Sequence, residues 1–261
     1  MTAADLEHRY RLAKDLGRRA GQLAMQYYGR HGAMGVVSKG VHNVVTKADQ
    51  ECEKLIAATV LKNFPQDTIL GEESGFQNRG SSTVWIVDPI DGTSNFVRQI
   101  PLWCVSIGII VGFKPVVGVI CDPVREELYH SLEGRGAFRN DEPVKVSDVT
   151  DLKAAQVGLG FSHRQSGKQH AEAVASCLAA QCDYRRLGTG SLSLACVADG
   201  RLDGYWENHM NSWDAAAGLA LVRAAGGWCN DYFAGDGLNS GNSVLAATPV
   251  LVEPLRKLFA M

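Results

Sequence analysis

Several common functional signatures are missing from these 261 residues. There is no basic excess: 26 lysines and arginines face 28 acids, for a formal net charge of -2. General nucleic-acid binders carry a marked positive charge, so no nucleic-acid partner is expected. No apolar run approaches the roughly 18 residues that suggest a membrane span. The opening MTAADLEHRYRLAKDLGRRA is charged throughout and lacks a signal's apolar core. No membrane partner is expected, and the cytoplasm is the expected location. Cys52, Cys104, Cys121, Cys177, Cys182, Cys196 and Cys229 include no C-x-x-C pair. That excludes the usual spacing of structural zinc ligands and marks them as reduced core thiols. A P-loop and a G-x-S-x-G nucleophile elbow are absent too. The remaining composition, 46% apolar and 21% charged, is that of an ordinary globular chain with one large or two compact domains.

What is present is concentrated in WIVDPIDGTSNFVRQIP, residues 85–101. Pro89 disfavours a helical backbone at Asp88, so the apolar residues 84–87 read as a short buried strand ending there. Asp91 follows three residues later. Gly92 permits a tight turn, and Thr93, Ser94 and Asn95 suit a helix start. Two carboxylates at a strand's mouth beside helix-opening amides can hold a hard divalent cation and a phosphate side by side.

Before this stretch, Leu6, Tyr10, Ala13, Leu16, Ala20, Leu23, Ala24 and Tyr27 recur at helical steps. Residues 32–45, with Ser38, Lys39, Gly40, His42 and Asn43, read as a mobile loop. A second helix carries Cys52, Leu55, Ile56 and Val60 inward and stops at Pro65, with Asp49 near its start, where capping is the ordinary role of an acid. A strand at 68–70 leads into Gly71-Glu72-Glu73-Ser74-Gly75. Turn residues Gly75, Gly80, Ser81 and Ser82 then imply a hairpin-like return that brings both acid pairs together.

Residues 102–132 alternate as an antiparallel meander, in which Asp122-Pro123 reads as a turn. The turn-rich segment 134–147 marks a boundary between an N-terminal α+β half, 1–146, and a C-terminal α/β half, 147–261. In the second half strands at 157–161, 203–207 and 243–247 take turns with helices at 169–180, 192–198, after Trp213-Asp214 and from Val250. The small-residue turn Gly188-Thr189-Gly190-Ser191 offers amides to an anion at a helix start.

Were Glu72, Glu73, Asp88, Asp91 and Asp214 to converge, their mutual repulsion would raise several pKa values unless cations neutralised them. All-oxygen ligands select Mg²⁺, Mn²⁺ or Ca²⁺ over zinc. Two such ions bridged by a carboxylate form the usual clamp for in-line displacement at phosphorus, with no need of a Ser or Cys nucleophile.

GEES at 71–74, DPIDGTSNF at 88–96 and Trp213-Asp214 followed by Gly226-Gly227 resemble the inositol monophosphatase family, the Mg²⁺-dependent, lithium-inhibited phosphomonoesterases. Residues 44–49 are similar to its early metal-site segment. Arg186-Leu187-Gly188-Thr189 and Gly204-Tyr205-Trp206-Glu207 are similar to its substrate segments. The resemblance implies a layered αβαβα sandwich, usually a homodimer, with two to three Mg²⁺ and Mn²⁺ as a substitute. Glu72, Asp88 and the Ile90 carbonyl would hold the first ion, Asp88, Asp91 and Asp214 the second, and Glu72 through water a weaker third. The attacking water would be activated by Thr93 with Asp49 behind it. Gly92 and Thr93 amides would orient the phosphate, Gly188 and Thr189 would line the pocket, and Glu207 and Asp91 would accept substrate hydroxyls. Asn43 stands where the family pattern often has an Asp, and Lys47 at a position often acidic or polar.

The implied reaction is hydrolysis of a small phosphorylated polyol, inositol 1-phosphate first. Histidinol phosphate is the alternative, since Glu207 also suits an ammonium. Fructose 1,6-bisphosphate would engage Arg185, Arg186, His163 and Arg164, unless these form interface ion pairs. His209 either shapes the pocket or faces solvent. A reading of another class is a regulatory binding protein, for instance of RNA machinery, with incidental phosphatase activity. Five clustered carboxylates argue against a pure scaffold.

Overall fold

The computed structural model describes residues 2–30, 35–40, 43–162 and 166–260, without the side chains of 38–40 and 43–44. The chain opens with α1 (Ala3–Met25), whose start is closed by a reciprocal pair of hydrogen bonds between Thr2 and Asp5. Strands β1 (Val37–Gly40) and β2 (Asn43–Val45) then pair antiparallel, where the glycine-rich sequence reads as a loop. The β-branched Val37, Val44 and Val45 supply strand propensity there. Residues 31–34 and 41–42 of that stretch lie outside the described residues. Helix α2 (Lys47–Asn63) follows, capped by Thr46.

Next come β3 (Thr68–Gly71), β4 (Gly75–Gln77), β5 (Thr83–Asp91), the short α3 (Thr93–Val97), β6 (Cys104–Val111), β7 (Lys114–Asp122), β8 (Glu127–Leu132), β9 (Gly136–Arg139) and β10 (Glu142–Val144). They form one eight-stranded sheet in the order β10-β9-β8-β7-β6-β5-β3-β4. Within it only β3 and β5 run parallel. Strand β5 does not stop at Asp88. It runs on to Asp91 through a bulge, because Pro89 has no N–H for the ladder and pairing resumes at Asp91–Cys104. As expected, Asp122 closes a turn, accepting the amides of Val124 and Arg125.

The second half contributes β11 (Gln156–Leu159), α4 (Gly167–Ala179), β12 (Asp183–Arg185), α5 (Gly190–Ala198), β13 (Gly204–Met210), α6 (Ser212–Ala224), β14 (Trp228–Cys229), α7 (Gly237–Ser240), β15 (Asn242–Ala247) and α8 (Val252–Leu258). Its five-stranded sheet has the order β12-β11-β13-β15-β14.

Side-chain alternation along the strands sets the layers. Trp85, Val87, Ile107, Ile109, Val117 and Val119 pack with Leu16, Ala20, Cys52 and Ile56 of α1 and α2. Val84, Ile86, Ile110 and Ile120 face the opposite way, in one cluster with Leu194 of α5, Ala216, Ala217 and Leu221 of α6, and Tyr205, Val244 and Ala246 of the second sheet. That sheet's other face buries Val157, Leu159, Trp206 and Leu245 against Ala173 of α4 and Leu255 of α8. The result is the expected αβαβα sandwich, with α5 and α6 as its middle layer. The middle layer is close-packed: a Cβ at Gly118 would lie 2.2 Å from the Ala217 carbonyl, and one at Gly108 2.7 Å from the Ala216 methyl. All seven cysteines are free thiols. Among the described residues no helix is long and apolar enough to cross a membrane.

Candidate active site

Parallel pairing of β3 with β5, rather than a hairpin between them, brings the acidic segments together. Gly71 pairs with Val87, and the Glu72 amide donates to the Val87 carbonyl at 3.1 Å, so Glu72 stands beside Asp88. The hairpin-like return exists, but it joins β3 to β4. At the bulge, Asp88 accepts the Ile90 amide at 2.9 Å, and the Ile90 carbonyl accepts the Thr93 hydroxyl at 3.0 Å. Gly92 turns the chain with φ +92°, and its missing side chain lets Thr189 of the other half approach: a Cβ would lie 3.3 Å from that of Thr189.

Asp214 comes from the first turn of α6, where the helix dipole favours an acid. Carboxylate oxygens of Asp88, Asp91 and Asp214 lie within 4.8 Å of one another, a group able to hold a metal ion. Burial together with neighbouring carboxylate charge raises the proton affinity of Asp88, Asp91 and Glu72. Asp88 is pushed well above the carboxylate range, Asp91 to about 7 and Glu72 to about 8, with burial the leading cause in each. Buried carboxylates crowded in this way fit a hard divalent cation, which would hold them ionised near neutral pH. Glu73 lines a separate surface groove with Gln50, Glu53, Lys54 and Gln77, and its charge adds to the upward push on Glu72 and Asp49.

In the turn at residues 188–191 the Ser191 amide meets an anion that belongs to the protein. One oxygen of Asp91 accepts the Ser191 amide at 2.7 Å and the Thr189 hydroxyl at 2.6 Å. Thr189 in turn caps α5 by accepting the Leu192 amide. Asn95 reinforces this join, donating to the carbonyls of Leu102 at 2.7 Å and Leu187 at 2.9 Å.

A polar cavity of about 160 Å³ opens here, lined by Asp91, Gly160, Phe161, Arg186, Gly188, Thr189, Tyr205, Glu207 and Asp214 among others. Glu207 is buried, accepts the Tyr205 hydroxyl, and is raised by burial to about 8. Of the candidate basic residues, Arg185 is tied to Asp183 at 2.7 Å. Arg186 lines the cavity, and no ion pair to it is found among the described residues. His163 and Arg164 lie outside the described residues, as does the Asn43 side chain. His209 bonds the Ser240 carbonyl at 2.9 Å and is not among the residues lining the cavity.

One expected pair is not joined. Asp49 accepts the Thr46 amide and hydroxyl in a capping box, at 2.7 and 2.5 Å, while Thr93 donates to Ile90. No hydrogen bond links Asp49 with Thr93 among the described residues. Asp49 is nonetheless buried and lifted by desolvation to about 6. Sequence reasoning also missed the bond of Tyr205 to Glu207, the bridging role of Asn95, and Glu53. The last left a signal: an acid four residues after Asp49, on the helix face that buries Cys52 and Ile56.

With this geometry in place, comparison with known proteins is informative. The sequence model of the inositol monophosphatase family matches residues 5–260. The Nus factor SuhB of Pasteurella multocida is 38% identical over 245 residues, 92% of this chain and 92% of that protein. Among solved structures, an extragenic suppressor protein suhB from Bartonella henselae superposes with a TM-score of 0.89 at 33% identity, covering 95% of this chain and 97% of that one. An inositol monophosphatase from Anabaena gives 0.86 at 32% identity, with 98% and 96% covered.

Proposed function

The chain belongs to the inositol monophosphatase family, and from that premise we propose that it is a Mg²⁺-dependent phosphomonoesterase acting on a small phosphorylated polyol, inositol 1-phosphate first. The observation that carries this reading is the group Asp88, Asp91 and Asp214, the first two buried and raised in proton affinity, bordering a polar cavity with a carboxylate, Glu207, at its side.

Glu72, Asp88 and the Ile90 carbonyl would hold one cation, and Asp88, Asp91 and Asp214 a second. When bound, the cations supply Lewis acidity toward the phosphoryl oxygens and make water nucleophilic near neutral pH. The chain's own groups do the rest. The Gly92 and Thr93 amides orient the phosphate. Thr93 spends its proton on the Ile90 carbonyl, which leaves its lone pairs to accept from the attacking water and aim it. A relay through Asp49 requires Thr93 to turn away from Ile90. The Asp91 oxygen that is anchored to α5 keeps that carboxylate fixed, so its other oxygen is held for a cation or a substrate hydroxyl. Gly188 and Thr189 form a wall, and Glu207 accepts from the polyol.

Phosphate release with and without Mg²⁺ tests the proposal. Absence of Mg²⁺-dependent turnover with any phosphomonoester would sink it, whereas insensitivity to millimolar lithium would weaken only the family analogy. Comparing kcat/KM for inositol 1-phosphate and histidinol phosphate decides between a neutral and an ammonium-bearing alcohol. A bisphosphate such as fructose 1,6-bisphosphate has one supporting observation, the Arg186 side chain at the cavity. A homodimer accompanies the reading, and sedimentation checks it. The name of the Pasteurella multocida relative, a Nus factor, favours a second reading, a regulatory binding protein with incidental phosphatase activity. Under that reading the Asp91→Asn protein would retain its binding role.

A further inference from the structure

Glu53 is a buried acid that touches none of the cavity. It lies on α2, 4% exposed, and each of its carboxylate oxygens accepts an amide of the turn between β3 and β4. One oxygen accepts the Glu73 amide at 2.9 Å and the other the Ser74 amide at 2.8 Å. The carboxylate also presses on Gly71, where a Cβ would sit 2.5 Å from its carbon and 2.5 and 2.6 Å from its oxygens. Any side chain at residue 71 therefore expels it. Glu72 sits between these contacts, with its own amide held by Val87 on one side and the next two amides held by Glu53 on the other.

This clamp matters because of where the turn lies. Strand β4 is three residues long and sits at the sheet's edge, with its central residue Phe76 exposed. Within the sheet the Val87 carbonyl holds the Glu72 amide, and Glu53 holds the two amides that follow it at the open edge. Two backbone amides donating to one carboxylate are among the stronger constraints a protein can place on a turn. We infer that Glu53 is a positioning residue for the acidic centre, holding the Glu72 turn so that Glu72 and Asp88 meet a divalent cation already in place. This rests on the reading that those two residues share a cation.

The experiment measures Mn²⁺ binding directly, by the electron paramagnetic resonance of free Mn²⁺, and Mg²⁺-dependent turnover in parallel. Wild-type protein that binds no Mn²⁺ refutes the phosphatase reading itself. Given wild-type binding, Glu53→Gln puts an NH₂ group against a backbone amide, and Gly71→Ala displaces an unaltered Glu53. Each should weaken Mn²⁺ binding by about tenfold, the scale on which outer groups supporting metal ligands act. The loss in kcat at saturating Mg²⁺ should be smaller. The double variant should be little worse than either single one, because both break the same contact. A purely structural role would lower the folded fraction and the melting temperature while leaving the Kd of the folded protein within about twofold of wild type. That result, or failure of both variants to fold, overturns the assignment.

Discussion

Replacing Glu207 by glutamine should separate substrate recognition from catalysis. Glu207 is buried beside the cavity, and above its raised pKa of about 8 a substrate hydroxyl donating to it makes a bond to a charged acceptor, worth about 1.5–3 kcal/mol. Glutamine keeps the size and one acceptor oxygen for the Tyr205 hydroxyl, but it removes the charge. The expected loss in kcat/KM for a polyol monophosphate is therefore roughly 10- to 100-fold, mostly in KM. An aryl phosphate, which has no hydroxyl to place there, should change by less than about twofold. Gly160→Ala supplies an independent route to the same end: its methyl would lie 2.1 Å from a Glu207 oxygen and 2.2 Å from the Tyr205 hydroxyl, so the carboxylate must move. The assay is steady-state phosphate release with both substrates for both variants. Equal losses with the polyol and aryl esters would refute the argument, because Glu207 would then act on the phosphoryl group common to both. An amine-bearing substrate that suffers more than the polyol would point to an ammonium as the natural ligand.

Asp91→Asn should abolish measurable turnover with the far-UV circular dichroism unchanged; near-normal activity would mean that the ligand assignment is wrong. The metal-free protein should lose thermal stability as pH rises. Burial lifts Asp49 from 3.8 to about 6 and Glu207 from 4.5 to about 8. The folded state therefore holds these protons more tightly, and the stabilisation is complete below the unfolded values and lost as pH climbs through about 6 and then about 8. A melting temperature in chelator that is flat or rising between pH 5 and 9 contradicts this. Gly118→Ala should destabilise by about 1–3 kcal/mol, because its methyl meets the α6 backbone rather than a movable side chain. Denaturant titration should show the midpoint falling at constant slope.

Where a segment's structure follows from its own residues, the sequence was legible. The capped helices α1 and α2 follow from their periodicity and from Thr2-x-x-Asp5 and Thr46-x-x-Asp49, and the buried ladder around β5 to β8 from its alternation. The acids Asp88 and Asp91 stood out for the same local reason. The short strands β4, β12 and β14 did not, because two or three residues become a strand only by virtue of the neighbour they join. Nor did the anchoring of Asp91 to Thr189 and Ser191, about a hundred residues away, since neither partner carries a mark of the other. The amides of that turn were read as open to an external anion, and the Ser191 amide instead donates to the protein's own Asp91 carboxylate. Asp49 shows the opposite failure: its capping role is fully local, and the more distant partnership expected with Thr93 is the part the geometry does not supply.

Asp214 rides on the helix that covers the inner face of the long sheet, seated over Gly108 and Gly118. A chain leaves the ribosome from its N-terminus, so most of the acidic residues emerge well before this helix. Until it arrives, a nascent chain has an apolar sheet face only partly covered, by α5, and an incomplete set of carboxylates. Shielding that surface from aggregation and completing the acidic centre are thus a single event. An intermediate in synthesis is both sticky and inert, and a truncation before residue 214 would lose solubility and metal binding together.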